Sequence, residues 1–220
     1  MILFRNKRPG KVSISASMTE LRVLKDLAEL AEHRSPSTHC HITISMPQRD
    51  RIGLGVPVIY TVKSDIAHVY AGAAFLTLVQ FPDNYPFVPP SVLVLNRVYH
   101  PNVDIHTGEL YMDLLTQESW KPVFTLSSII FSIELTLLEP NFNLVPRNAI
   151  NEEMVIIHKM DGEEFKRIVR RSLLGGRFGA YDFAPMYGHF HTLKRKLPCE
   201  EETYTRRTKL SDRGECMDIS

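Results

Sequence analysis

Leu21, Leu24, Leu27, Ala28 and Ala31 recur at helical spacing. That spacing predicts an amphipathic helix of about four turns with these residues on its apolar face. Ser17-Met18-Thr19-Glu20 has the form of a capping box at its start. The pattern then changes. Gly53, Gly55 and Pro57 punctuate a stretch in which Val56 to Val62 reads as a strand entered past a proline, and Ala74 to Phe81 and Ser91 to Leu95 are two further short β runs. Between the last two, residues 82–90 hold four prolines in nine positions. Such a stretch lacks the donors for a ladder and must be a rigid connection, so its flanking strands form an antiparallel meander.

Helical spacing returns at Leu126 to Leu138, which is apolar nearly all round and predicts a helix buried against other elements. Thr125 or Ser127 can cap its start, and Pro140-Asn141 stops it. Asn148 to His158 and Asp161 to Leu174 read as two more helices. In the second, Phe165, Ile168, Val169 and Ser172 share one face and Gly175-Gly176 closes the element. Helix, strands, then helices is an α+β order with an antiparallel sheet. The flanks differ: residues 1–17 are a basic leader, and residues 175–220 are a C-terminal extension without periodicity. In the extension, Tyr181, Phe183, Tyr187 and Phe190 are candidates to dock on the domain, and the composition beyond Lys194-Arg195-Lys196 is that of a disordered chain. The core domain is expected over residues 18–174.

Composition narrows the class without changing this outline. An apolar fraction of 44% and a charged fraction of 23% are those of a globular protein. Lys+Arg 26 against Asp+Glu 25 leaves no net field to attract nucleic acid or an anionic membrane. Cys40, Cys199 and Cys216 lie far apart with no CxxC spacing, the usage of a reducing compartment. Met1-Ile2-Leu3-Phe4 turns basic too early for a signal-peptide core, and the apolar run from Val69 to Val79 is too short to span a bilayer. Cys216 stands one residue too far from the end for a prenylation box. Cytosol or nucleus is the expected location, and no cofactor is implied.

The stretch from Tyr70 to Arg147 resembles the core of the ubiquitin-conjugating enzymes. Phe81-Pro82, Tyr85-Pro86-Phe87 and Pro89-Pro90 look like that family's loop before its third core strand, and Tyr99-His100-Pro101-Asn102 matches its His-Pro-Asn signature. Gly108-Glu109-Leu110-Tyr111-Met112-Asp113-Leu114-Leu115 resembles its active-site segment, with tyrosine at the position of the catalytic cysteine. Ser119-Trp120-Lys121-Pro122 and Leu137-Leu138-Glu139-Pro140-Asn141 follow in the expected order. The resemblance spans Met18 to Leu174 and implies the family's fold: an N-terminal helix, a four-stranded antiparallel meander and C-terminal helices. The interval from Asn102 to Tyr111 is one residue longer than in most members and resembles the spacing of the family's peroxisomal branch, a pointer to a peroxisome-associated location.

The family's reaction is thioester exchange followed by attack of a lysine amine. A thiol with a pKa of about 8.5 supplies a few per cent of thiolate at neutral pH, whereas a phenol near 10 is ionised to only about one part in a thousand. Tyr111 therefore implies a non-catalytic variant. The matching set His100, Pro101, Asn102, Tyr111 and Asp113 is then a vestigial active site with no catalytic residue. By resemblance Asn102 would steady the oxyanion of the transfer step. With no cysteine to serve, the preferred reading of His100-Pro101-Asn102 is a turn held by side-chain hydrogen bonds. Cys40 reads as a packing residue, and His39-Cys40-His41 would send adjacent ligands to opposite faces of a strand, so no metal site is expected.

Partner binding is separable from chemistry. In the family, ligases grip the proline-rich loop and the loop after the tryptophan, which the resemblance carries to Phe87, Trp120, Lys121 and Pro122. Phe87 is either an exposed aromatic anchor held by rigid prolines or a ring closing the core edge. Three functional classes follow. The leading one is a binding or regulatory component that engages ubiquitin or a ubiquitin-like modifier, a ligase, or an active conjugating enzyme. The second is an active conjugating transferase using another nucleophile, Cys40 or a tail cysteine, or acting on a modifier by an unfamiliar route. The third is a trafficking adaptor outside ubiquitin chemistry.

Overall fold

The computed structural model describes residues 17–33, 37–49, 53–178 and 180–187. The leader, Cys199, Cys216, Phe190 and the Lys194-Arg195-Lys196 run lie outside the described residues. Helix α1 (Met18–His33) is followed by strands β1 (Cys40–Ile44), β2 (Gln48–Arg49), β3 (Leu54–Val62), β4 (Ala74–Phe81) and β5 (Ser91–Val94). The sheet is antiparallel with order β1-β3-β4-β5, and β2 pairs with β3. Helices α2 (Leu126–Leu138), α3 (Ala149–Met160) and α4 (Gly162–Leu174) come next, then a small hairpin of β6 (Gly176–Phe178) and β7 (Tyr181–Phe183). The α+β meander expected from the sequence is the fold observed.

Register decides which side of the sheet is the core. Val56, Val58 and Tyr60 of β3 stand opposite Val79, Thr77 and Phe75 of β4, and all six are buried. Residues directly opposite share a face, so these point together toward α2. The Tyr60 hydroxyl confirms the direction by donating to the Ile130 carbonyl of α2 at 3.0 Å. Two caps fall where the sequence placed them: Ser17 Oγ accepts from the Glu20 N–H and Thr125 from Ser128. Asn148 and Asp161, read as the first residues of their helices, cap them instead, accepting from Asn151 and from Glu163 and Glu164.

Helix α1 turns a different face inward from the one its leucines predict. Leu21 and Leu24 are exposed, as are Ala28 and Ala31, while Thr19, Val23, Asp26 and Leu30 are buried. The reason is polar. Asp26 accepts from Arg22 Nε at 2.8 Å, from the Tyr85 hydroxyl at 3.2 Å and from the Leu126 N–H at 3.1 Å. Thr19 Oγ1 donates to the Asp83 carbonyl at 2.7 Å, and Arg22 Nη2 to the Phe124 carbonyl at 3.0 Å. These bonds orient the helix, and of the predicted stripe only Leu27 is half-buried against the core, the rest being left on the surface. Helix α2 also departs from expectation: Leu126, Ile129, Ile133 and Leu137 are buried, but Phe131 and Leu135 are 65% and 45% exposed.

The hairpin was invisible in the sequence because three-residue strands carry no period. It is nevertheless docked. Phe183 and Met186 are buried, and the Met186 carbonyl accepts from the Ala74 N–H at 3.1 Å. Gly175, at φ +85°, makes this possible: a Cβ there would lie 2.8 Å from the Pro185 ring.

Removing the Asp26 carboxylate should loosen helix α1, the proline-rich loop and the start of α2 together. Asp26→Asn is expected to lower the unfolding free energy by about 3 kcal/mol, the usual cost of breaking a buried charged network from one side. Urea unfolding followed by circular dichroism measures it; a change below about 0.5 kcal/mol, the range of ordinary surface substitutions, would contradict this role.

Candidate functional site

Beside β5 the chain folds back on itself between Tyr99 and Met112. His100, Pro101 and Asn102 are all buried. His100 Nδ1 accepts from the Asn102 N–H at 3.1 Å, and its Nε2 meets the Leu137 carbonyl at 3.3 Å. Those partners assign the tautomer: Nε2 carries the proton and Nδ1 is the acceptor. Burial lowers the imidazole pKa to about 4, so the ring is neutral at physiological pH.

Asn102 spends its whole amide on the backbone. Its Nδ2 donates to the carbonyls of Asn141 (2.8 Å) and Leu144, and its Oδ1 accepts from the Asn141 N–H at 2.8 Å. Its side chain thus ties the His-Pro-Asn turn to the loop that leaves α2. Asn151, on α3, completes the clamp by donating from one Nδ2 to the carbonyls of His100, Pro101 and Val103 at 3.2, 2.9 and 2.9 Å.

From Asn102 the chain reaches Tyr111 through a tight turn. Asp104 Oδ1 accepts from the N–H groups of His106 and Thr107, both at 2.8 Å, and Gly108 takes φ +79°. Asp104 N–H donates to the Glu109 carbonyl, Leu110 N–H to Val92, and Tyr111 N–H to Asn102 at 2.8 Å. The long Asn102–Tyr111 interval is absorbed in this turn, and the backbone at 111 still lies against Asn102.

Tyr111 is half-buried at the wall of a cleft of about 500 Å³, which runs between Glu109–Met112 and the proline-rich loop at Pro82, Val88 and Pro89. Burial, then the carboxylates of Glu109 and Asp104, push its phenol above its ordinary value. An ionised oxygen is therefore harder to form here than on a free tyrosine. Asp113 is exposed, and its carboxylate accepts from Asn141 Nδ2 at 2.9 Å.

Cys40 lies elsewhere. It is 4% exposed on β1, the sheet edge opposite β5, and burial followed by the Glu134 carboxylate raises its thiol to about 12. Three strand spacings, about 14 Å, separate the two edges. Among the described residues, no group of three His, Cys, Asp or Glu side chains is gathered as a metal would need, and no helix is long and apolar enough to cross a membrane.

The second predicted surface divides in two. Phe87 is 78% exposed, and Lys121, Pro122 and Val123 are exposed beside it in the fold. Trp120, grouped with them in the sequence, is buried. Its indole N–H donates to the Pro86 carbonyl at 2.8 Å and its ring lies 6.0 Å from Tyr85, so it braces the proline-rich loop from beneath. Sequence reasoning gave no role to Asn151 and saw Asn141 only as part of a helix stop and a motif. A polar residue at a helix start ordinarily reads as a surface or capping residue, which hides a buried clamp.

Residues 22–173 match the family described as ubiquitin-conjugating enzyme. Among curated proteins the chain is similar to the NEDD8-conjugating enzyme UBC12 of Yarrowia lipolytica, 32% identical over 76% of this chain and 84% of that protein. It is likewise similar to the NEDD8-conjugating enzyme ubc12 of Schizosaccharomyces pombe, at 33% over 76% and 85%. Among solved structures it resembles S. cerevisiae Ubc12, with a TM-score of 0.63 and 25% identity over 80% of this chain and 90% of that one.

The neutral, buried His100 makes stability fall in acid. Its folded pKa of about 4 lies below the unfolded value of about 6.5, so the unfolded chain takes up the proton first as pH falls. The expected loss is about 3 kcal/mol, developing from pH 6.5 down to 4. Urea midpoints across that range check it: His100→Gln should show a flatter pH slope than wild type, and an unchanged slope would contradict the assignment.

Proposed function

The chain belongs to the ubiquitin-conjugating enzyme family, and we propose that it is a non-catalytic member, a binding or regulatory component of a ubiquitin-like conjugation pathway. The observation that carries this reading is Tyr111. It holds the nucleophile's place in the family's active-site segment, yet its phenol is pushed away from ionisation by burial and by Glu109 and Asp104. Thioester exchange needs an attacking atom that is both nucleophilic and a good leaving group, and a phenol oxygen with a raised pKa is neither at neutral pH. Asn102 has its amide donors on Asn141 and Leu144, which favours the structural role for the turn over an oxyanion-stabilising one.

What remains is recognition. The cleft beside Tyr111 stays open, and Phe87, Lys121, Pro122 and Val123 are exposed on two loops tied together by the Trp120–Pro86 hydrogen bond. A rigid aromatic anchor of this kind is suited to a ligase or another conjugating-pathway protein, since little side-chain entropy is lost on binding. NEDD8 is the favoured modifier class because relatives at 32% and 33% identity bear that name. An alternative transferase built on Cys40 is disfavoured by its burial at the far sheet edge and a thiol raised to about 12.

Incubation with a NEDD8- or ubiquitin-activating enzyme, ATP and modifier tests the reading. Wild type should form no reductant-sensitive adduct, while Tyr111→Cys should form one, because the surrounding backbone is retained. An adduct on wild type would overturn the proposal. Phe87→Ala should change stability by less than about 0.5 kcal/mol, as exposed substitutions do, yet weaken binding to a ligase that recognises the wild type. Undiminished binding, measured by calorimetry, would remove Phe87 from the interface.

A further inference from the structure

On the side of the sheet away from Tyr111, the exposed flank of α2 borders a groove of about 520 Å³. Its walls include Ile44 of β1, Ile66 and His68 of the β3–β4 connection, and Phe131, Leu135 and Leu138 of α2. Phe131 and Leu135 are the residues that break the otherwise buried pattern of α2. Apolar side chains gathered in a concave surface mark a docking site. Glu134 and Glu139 add carboxylates to the lining; Glu134 is 7% exposed, and accepts from the Ser37 hydroxyl, while Glu139 is exposed.

The described chain ends on the β3–β4 connection, another part of which borders this groove. Tyr187 bridges Ala73, and a Cβ placed on Gly72 would touch the Tyr187 ring at 3.4 Å and Ser64 at 3.9 Å. The last described residue thus lies on the same β3–β4 connection that supplies Ile66 and His68. The sequence that follows, Gly188-His-Phe-His-Thr-Leu-Lys-Arg-Lys-Leu197, places Phe190, Leu193 and Leu197 at i, i+3 and i+7, with Lys194-Arg195-Lys196 between the last two. That is an apolar stripe with an adjoining basic cluster, the complement of an apolar groove edged by carboxylates. Ten residues reach about 15 Å as a helix and about 33 Å extended, enough to lie along α2 from where the chain leaves β7.

We infer that Gly188–Leu197 docks in this groove of its own chain, with Phe190, Leu193 and Leu197 against Phe131 and Leu135 and the basic run against Glu134 and Glu139. The docked segment covers the open flank of α2. It also holds Cys199, two residues beyond Leu197, on the β1 side of the sheet, away from Tyr111 and unable to stand in for the missing thiol.

The test uses the full chain carrying Cys216→Ser, with a nitroxide attached at Cys199; Cys40 is 4% exposed and escapes the label. Methyl signals of Ile44, Ile66, Leu135 and Leu138 should lose most of their intensity to paramagnetic broadening. Those of Leu78 and Leu93, opposite each other on the other sheet face, should keep theirs. Phe190→Asp with Leu193→Asp, which alters only the segment, should restore the groove signals. Full groove intensities in the labelled parent, broadening that survives the double substitution, or broadening seen only between mixed labelled and unlabelled chains would each overturn the inference. The last outcome would assign the groove to a second copy.

Discussion

One buried carboxylate organises this structure. Asp26 receives hydrogen bonds from its own helix through Arg22, from the proline-rich loop through Tyr85, and from the first N–H of α2. The α2 terminus carries partial positive charge, so a carboxylate there is favoured twice, by hydrogen bonding and by the helix dipole. Tyr85 in turn meets Phe81 and Trp120, and Trp120 holds the Pro86 carbonyl. The proline-rich loop, the rim that presents Phe87 and the start of α2 are therefore positioned by one network. Stability and the shape of the candidate binding surface share a cause.

A second network holds the segment around residue 111, and it does not involve that residue's side chain. Asn102, Asn141 and Asn151 fix the backbone from Tyr99 to Leu144 through bonds to carbonyls and N–H groups. Tyr111 is held by its own N–H on the Asn102 carbonyl. Since each bond is to backbone, the geometry is indifferent to what residue 111 carries. The bonds of His100 and Asn102 to backbone groups give both motif residues a part in folding this segment.

Much of this was legible in the sequence, and the failures share a physical origin. Periodicity found α2, α3, α4, β3, β4 and β5 because burial follows the helix and strand periods wherever apolar contact decides orientation. It misread α1 because Asp26 and Thr19, polar residues, decide that helix's orientation through hydrogen bonds. It overstated the burial of α2 because a continuous apolar run cannot reveal which flank lacks a neighbour. Motif order singled out Tyr111, Asn102 and Phe87 along the chain, but not what each side chain touches. The same words, Trp-Lys-Pro, hold one buried brace and two exposed residues. Asn151 left no signal, because a single asparagine reaching three carbonyls depends on the packing of two distant segments.

The surroundings of position 111, where the family resemblance puts a cysteine, bear on how the scaffold accommodates a tyrosine. At the β5 edge the reactive position lies at a cleft wall, half-buried, where exchanging a cysteine for a phenol ring need not empty or crowd the core. Core substitutions of comparable size change would cost a few kcal/mol through cavities or overpacking. Here the added atoms have cleft volume to occupy, and the backbone bonds at 102 and 111 remain. The folding penalty for a tyrosine at this position is small, while the Asp26 network keeps the proline-rich loop and the start of α2 in place. A scaffold arranged in this way tolerates exchange at residue 111 more easily than at Asp26, because the backbone bond there does not depend on the side chain.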